Sequence, residues 1–458
     1  MPDYMPHTDE EIASMVAFLG LDSIEQLFDA IPKALQVAGG LSLPEGMPEP
    51  DVMASMKTFA KMNKAGADRL ICFAGAGAYD HEIPTVVRTL GGRGEFVTAY
   101  TPYQPEVAQG VLQAIFEFQT MVSRISGLPV ANASLYDGSA AVTEAVNLAV
   151  AASKNETVYL SSGVHPHWRS VVKTFARGTG HNIVEVPLNN GVSDFDAVKD
   201  AGPPGVIVVG HPTYLGTLED LADVRSRCDE AGALMVVAAD PVATGVLRSA
   251  GSWGADVVVG EGQAFGTSLG FGGPYLGLFA CTMDQVRRLP GRLVGETVDE
   301  EGRRAYVTTL RAREQDIRRE KATSNVCTNQ TLMAVVAAIQ LGWLGTQGLR
   351  EIAERSVRAT RYLLEGVTKI DGVEPLLPGV ATVRDVAITT PLKADLVLER
   401  LAEEGFLGGL ALSALTDEGD GSVEQNLREH AILMSATEKR TKDEIDQFVT
   451  ALTKAVVK

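Results

Sequence analysis

Residues 257–277 read VVVGEGQAFGTSLGFGGPYLG, and the fold turns on how this stretch is read. Three consecutive valines have the pattern of a strand buried on both faces, and the glycine-rich run after them is the loop beyond its carboxyl end. An open α/β sheet places its reactive groups in such loops. Gln263 stands there as an amide where an amine would make immediate chemical sense.

Working outward, TVYL, HNIVEVPL, GVIVVG, ALMVVAA and YLGLFAC are further short, apolar, β-branched runs separated by helical patterns. That alternation predicts a doubly wound, mainly parallel sheet. Val111, Ile115, Phe118, Val122 and Ile125 recur at helical spacing from Pro105 until Gly127 and Pro129 stop the pattern. Downstream, GLREIAERSVRATRYLLEGV, VATVRDVAITT and KADLVLERLAEEG predict a smaller C-terminal α+β domain. Upstream, Thr8 with Glu11 forms a capping-box pattern, and Asp22 before SIEQLFDAIPKAL repeats the device, so the N-terminal segment is expected to be helical and peripheral. The expected division is residues 1–90 for the helical segment with an interface loop, 91–330 for the large domain and 331–458 for the small one.

The 458 residues carry 58 acidic against 40 basic side chains, a net charge of −18, which argues against a broad nucleic-acid surface because phosphate contacts need clustered Lys and Arg. Cys72, Cys228, Cys281 and Cys327 are too scattered for a zinc site or a disulfide framework, and no metal site is expected. The first residues lack the pattern of a signal peptide, and no apolar run reads as a membrane span, so a cytoplasmic location with no membrane partner is expected.

The residues just after each apolar run make a series. Asp137-Gly138 turns into a helix whose first N–H groups, with the Ser139 hydroxyl, have the form of a phosphate-holding helix start or of a simple cap. His165 follows a strand in a loop where an imidazole could stack on a planar cofactor. Asp240 ends LMVVAA, either to hold a pyridine nitrogen protonated or to cap a turn. This order, followed by a glycine-rich loop, resembles the pyridoxal-phosphate enzymes of the aspartate-aminotransferase fold (fold type I). Such an enzyme needs a lysine shortly after the aspartate for its Schiff base. None occurs between Lys199 and Lys321.

The segments FAGAGAYDHEIPTVV, TAYTPYQPEVAQGVLQ, LYDGSAAVTEA, GEGQAFGTSLGFGGPYLG and RREKATSNVCTNQTLMA resemble, in the same order and nearly end to end, the α-type subunits of two-subunit glycine decarboxylases, the P-proteins of the glycine cleavage system. The resemblance implies an α2β2 assembly of homologous chains, decarboxylation of glycine, and transfer of the aminomethyl group to lipoylated H-protein. It implies that the β partner carries the lysine and the pyridoxal phosphate, with Gln263 at the lysine's position here. Ser139, His165, Asp240 and Gln263 would then be the remains of a duplicated cofactor pocket. Since active sites of this fold type lie at subunit interfaces, Tyr79, His81, Tyr100, Tyr103, Gln104, Thr323, Ser324 and Asn325 are the expected lining residues. The basic run Arg318, Arg319 and Lys321 reads as a solvated helix face, or as a seat for glycine's carboxylate or an acidic partner. Cys281 and Cys327, the other conceivable nucleophiles, sit in apolar sequence surroundings expected to keep them buried and inert. A purely structural or regulatory subunit of that complex, without active-site residues, is the alternative reading.

Overall fold

The structure, a computed structural model, describes residues 6–37, 41–63, 70–99, 101–417 and 420–457. The chain divides into two compact units, Met1–Lys64 and Ala65–Lys458.

In the first unit Thr8 and Glu11 form the expected capping box on the helix Asp9–Phe18, and a second helix spans Glu49–Met62. No residue of either helix is buried within this chain, and Phe18 is 90% exposed. The expected helix after Asp22 is only two short 3-10 turns, Ile24–Phe28 and Lys33–Leu35. Pro32 removes a donor between them, and without a buried face nothing offsets the cost of nucleating a longer helix.

The second unit is built on a seven-stranded sheet. Its strands are β1 (Val130–Ala131), β2 (Thr157–Ser161), β3 (Asn182–Val186), β4 (Val206–His211), β5 (Leu234–Ala239), β6 (Val257–Glu261) and β7 (Gly277–Cys281). They lie in the order β1-β7-β6-β5-β4-β2-β3. The central pairs are parallel, whereas β7 runs antiparallel to β6 and β1. Every strand named from sequence forms. Alternate residues serve opposite faces: Ile207, Val209, Met235, Val237 and Val258 pack into one core, and Val206, Val208, Val236, Val257 and Val259 into the other. Each buried valine contributes about 1.5–3 kcal/mol relative to exposure, and that two-sided burial is why these strands are β-branched throughout.

The helix Gln109–Ser126 buries Val111, Ile115, Phe118 and Val122 and ends on Gly127 at φ 74°. A glycine meets that left-handed cap without a Cβ clash. The C-terminal part has a four-stranded antiparallel sheet, in which Asp385–Thr389 pairs with Ala431–Ser435, and its own core around Phe73, Phe406 and Phe448. The helix Thr331–Val367, kinked at Gly345, holds an 18-residue window of mean hydropathy 1.4, long and apolar enough by composition to span a membrane, which the sequence reading did not anticipate. Here Ala334, Ala337, Ala338, Leu341 and Ala353 pack it into the core beside the sheet.

Candidate functional site

Strand order reverses at β2, which has β3 on one side and β4 on the other, and the crevice beyond the carboxyl ends of such strands is where this architecture binds ligands. A pocket lies there, lined by loops after β2, β4, β5 and β6 and by two residues of the C-terminal part. Tyr79, His165, Asp240, Glu261, Arg384 and Asp385 line it, and it leaves about 70 Å³ for the centres of water-sized molecules.

Gln263 is 1% exposed and its amide is fully engaged. Oε1 accepts from the Tyr79 N–H at 2.8 Å, while Nε2 donates to the Tyr79 carbonyl at 3.1 Å and the Thr267 carbonyl at 2.7 Å. A lysine offers donors only, so it would leave the Tyr79 N–H without its acceptor. Two residues earlier Glu261 ends β6 and turns inward. Its Oε1 accepts from the N–H groups of Gln263 and Leu276, and Oε2 from that of Gly138, all at 2.9 Å. Burial pushes its carboxyl up to about 8, against the pull of those three donors.

That Gly138 N–H belongs to the helix start expected to hold a phosphate. The neighbouring groups are taken as well: Asp137 Oδ1 accepts from the Ala140 N–H at 2.7 Å and from the Ser139 hydroxyl at 2.6 Å. A Cβ on Gly138 would come within 2.3 Å of the Trp168 ring, so the indole lies directly against this turn. His165 caps the helix Pro166–Thr179, its Nδ1 accepting from the His167 N–H at 3.2 Å. Burial lowers its pKa to about 4, with the charges of His167 and Arg169 adding to the effect, so the imidazole is neutral at pH 7.

Asp240 follows β5 as expected but is already paired, since Arg384 Nη2 lies 2.9 Å from its Oδ1. Arg384 is fully enclosed. Its guanidinium stacks on the Tyr79 ring at 3.3 Å from the centroid, and Nη1 donates to His81 Nε2. With Nε2 accepting, the proton sits on Nδ1, which donates to Glu438 at 2.6 Å; this tautomer is assigned from the network. The Tyr79 hydroxyl donates to Asp385 Oδ2 at 2.9 Å. Burial raises Asp385 to about 6 although Arg384 and the Tyr79 hydroxyl favour its charged form.

As arranged, these residues do not fit pyridoxal phosphate. An amide cannot form an imine, the phosphate-type donors are held by Glu261 and Asp137, and the cation facing Asp240 is Arg384.

A family model described as the glycine cleavage system P-protein matches residues 2–452. The chain belongs to this P-protein family. It is similar to a protein of Desulforamulus reducens called probable glycine dehydrogenase (decarboxylating) subunit 1, with 42% identity over 453 residues covering 98% of this chain and 99% of that one. A like-named protein of Chloroherpeton thalassium is 39% identical over 451 residues, covering 98% of this chain and 99% of its own. A crystal structure of glycine decarboxylase (P-protein) of the glycine cleavage system, in inhibitor-bound form, superposes with a TM-score of 0.89 at 41% identity, covering 99% of this chain and 100% of the other. A NifS-like protein from Rickettsia africae shares the fold alone, with a TM-score of 0.61 at 12% identity over 84% of this chain and 99% of its own. The fold is that of fold-type-I pyridoxal-phosphate enzymes.

In this P-protein chain the residues expected at an interface separate into two groups. Tyr79 and His81 are buried and committed to Asp385, Arg384 and Glu438 within the chain. Tyr103, by contrast, is 54% exposed and lines a second cleft with Arg292, Thr308, Arg311, Glu314, Val326 and Cys327, which brings the 101–104 loop to the end of the 323–327 segment. Gln104, Thr323 and Asn325 are exposed, and Ser324 is half-buried, its hydroxyl accepting from the Val326 N–H at 3.1 Å. Tyr100 lies outside the described residues. Arg318 closes a four-residue helix, and Arg319 and Lys321 form the 3-10 turn after it, all three exposed. Of the two cysteines, Cys281 is buried and burial pushes its thiol up to about 12, whereas Cys327 is exposed, contrary to expectation. Glu261, Arg384, Asp385 and Arg292 were not singled out from sequence. Only Glu261, at a strand end two residues before Gln263, carried a readable signal.

Proposed function

We propose that this chain is the subunit of glycine decarboxylase that lacks the Schiff-base lysine, and that it works only with a homologous lysine-bearing partner in an α2β2 assembly. The observation that carries this reading is Gln263, anchored by three hydrogen bonds at the loop position where the fold's chemistry requires an amine. The partner binds pyridoxal phosphate and supplies the electron sink. The complete enzyme decarboxylates glycine and passes the aminomethyl group to the lipoyl arm of H-protein, whose disulfide is reduced.

This chain contributes a wall of the partner's site through the 101–104 and 323–327 segments, with the exposed Tyr103, Gln104, Thr323 and Asn325 as the side chains available to substrate. The exposed apolar side chains of the first unit, among them Phe18, Leu35 and Met62, fit burial on assembly rather than life as a lone chain. A purely structural role is the second reading, favoured by one observation: Tyr79 and His81 are used up inside the chain.

The test is to purify the chain alone and with its partner, then measure visible absorbance of bound pyridoxal phosphate and glycine-dependent CO2 exchange with lipoylated H-protein. Both signals are expected from the mixture only. Either signal from this chain alone sinks the proposal.

A further inference from the structure

Arg292 has no part in the pocket at the switch point, yet it is 7% exposed, an unusual burial for a guanidinium. Among the described residues no carboxylate oxygen lies within ion-pairing distance of it. Burying a cation with no carboxylate bonded to it is costly, so its contacts, together with the nearby charge of Glu314, must offset that cost. Two are specific: Nη1 donates to the Thr101 hydroxyl, and the guanidinium carbon lies 4.9 Å from the centroid of the Tyr103 ring. The residue's own backbone is anchored, because its carbonyl accepts from the Ala133 N–H at 2.9 Å, directly after β1.

The same loop is clamped from its other end. Gln109 Nε2 donates to the carbonyls of Pro105 and Tyr306, each at 2.8 Å, and its Oε1 accepts from the Tyr306 N–H at 2.9 Å. Between the two clamps Tyr103 and Gln104 project outward, with the Tyr103 N–H donating to the Thr101 carbonyl at 2.9 Å. One face of the Tyr103 ring is therefore taken by the cation while more than half of the residue stays exposed.

We infer that Arg292 is a positioning residue: it holds the 101–104 loop through Thr101 and fixes the plane of the Tyr103 ring, so that the phenol is presented in one orientation to the partner's site. The inference rests on the proposed role of that loop in catalysis. Its chemical basis is that a planar guanidinium can stack on the ring and bond Thr101 together, which neither a neutral amide nor a point-charge ammonium reproduces in full. Fixing the ring before substrate arrives removes the rotamer and loop freedom that would otherwise be lost in reaching the transition state.

The experiment compares Arg292→Gln, Arg292→Lys, Tyr103→Ala and the Arg292→Gln/Tyr103→Ala double variant in the assembled enzyme, with assembly checked by size-exclusion chromatography and loop order by hydrogen exchange on this chain alone. Arg292→Gln is expected to lower kcat/KM for glycine-dependent CO2 release by on the order of ten- to a hundredfold. Arg292→Lys should recover part of that loss. In the Tyr103→Ala background Arg292→Gln should cost nothing further, and exchange should rise at residues 101–107 with the sheet unaffected. If Tyr103→Ala lowers turnover but Arg292→Gln does not, or if the two losses multiply in full, the positioning role is overturned. Full activity of Tyr103→Ala overturns instead the reading that puts this loop at the site. If Arg292→Gln does not assemble, the lysine variant and the exchange measurement decide: unchanged protection at 101–107 in Arg292→Lys alongside unchanged kcat/KM overturns the inference.

Discussion

In the switch-point pocket Asp240, Asp385, Glu261 and Gln263 all find partners inside the chain, whereas beside the Tyr103 cleft Arg313 Nε and Nη2 and Glu314 Oε1 are buried with none among the described residues. Among the described residues, Arg384 Nε is the one orphaned atom of the pocket's own side chains. Each unsatisfied buried group costs about 1–3 kcal/mol, so the two regions sit at different levels of completion. In the pocket the polar groups are engaged within the chain: Glu261 and Asp137 accept from the helix-start N–H groups, Arg384 pairs with Asp240, and the Gln263 amide bonds Tyr79 and Thr267. The cleft keeps buried polar atoms without a partner among the described residues, which fits a surface completed by another chain on the reading proposed above.

The largest effect should come from breaking the pocket's self-sufficiency at its centre. Arg384→Ala would leave Asp240 and Asp385 buried without their cation and His81 without its donor. Removing one member of a buried charge pair costs about 3–5 kcal/mol. A clear fall in thermal midpoint of the isolated chain is therefore expected, while Arg311→Ala in the cleft, whose pair with Asp316 at 3.4 Å is exposed, should shift it little. Comparable losses at both positions would erase the contrast between the regions.

A smaller effect sharpens the same contrast. Gln263→Lys installs the missing amine, yet Glu261 still holds the Gly138 N–H and Arg384 still holds Asp240. The variant should lose about 1–3 kcal/mol through the unsatisfied Tyr79 N–H and show no visible absorbance with added pyridoxal phosphate. A stable absorbance band would mean that the internal substitutes yield to the cofactor, and that the pocket is vacant rather than filled.

Glu261 makes the filling pH-dependent. Its folded pKa, about 8, lies above the ordinary 4.5, so the folded state binds the extra proton between those values. Stability from this group is present below about pH 4.5 and declines as pH rises toward 8, by about 1.4 kcal/mol per pH unit at most. Glu261→Gln, which cannot titrate, should flatten the decline. Denaturant midpoints measured from pH 5 to 8 that fall equally in both proteins would assign the slope to other groups.

How much of this was legible depends on whether a residue's task is local. The strands were, because two-sided burial forces continuous β-branched runs such as VVV and VIVV that no other element explains. The placement of Asp240 and Gln263 was too, since the first stands directly after such a run and the second within four residues of one. Arg384 and Asp385 were not: in VRDVAITT they read as ordinary charges before a strand, and only tertiary folding carries them to Tyr79 and Asp240, far away in sequence. Tyr79 and His81 show the reverse. Their polar aromatic chemistry drew an interface reading, but a buried acceptor from the C-terminal part claims each side chain first. Arg292 is silent in sequence for the same reason, its importance being a stacking geometry across nearly two hundred residues.

The smallest expected effect separates a wall from a working group. Tyr103→Phe keeps the ring on Arg292 and the loop in place, removing only a hydroxyl at a half-exposed position. Stability and assembly should therefore stay within about 0.5 kcal/mol of the parent chain. If the hydroxyl reaches substrate or cofactor in the partner's site, kcat/KM of the assembled enzyme should drop by up to about tenfold, the scale of one hydrogen bond made in the transition state. If kcat/KM is unchanged while Tyr103→Ala is impaired, the ring acts as an apolar wall and the cleft's polar residues serve assembly. That outcome would move this subunit's contribution from chemistry to shape, and it would leave the contrast between filled pocket and open cleft intact.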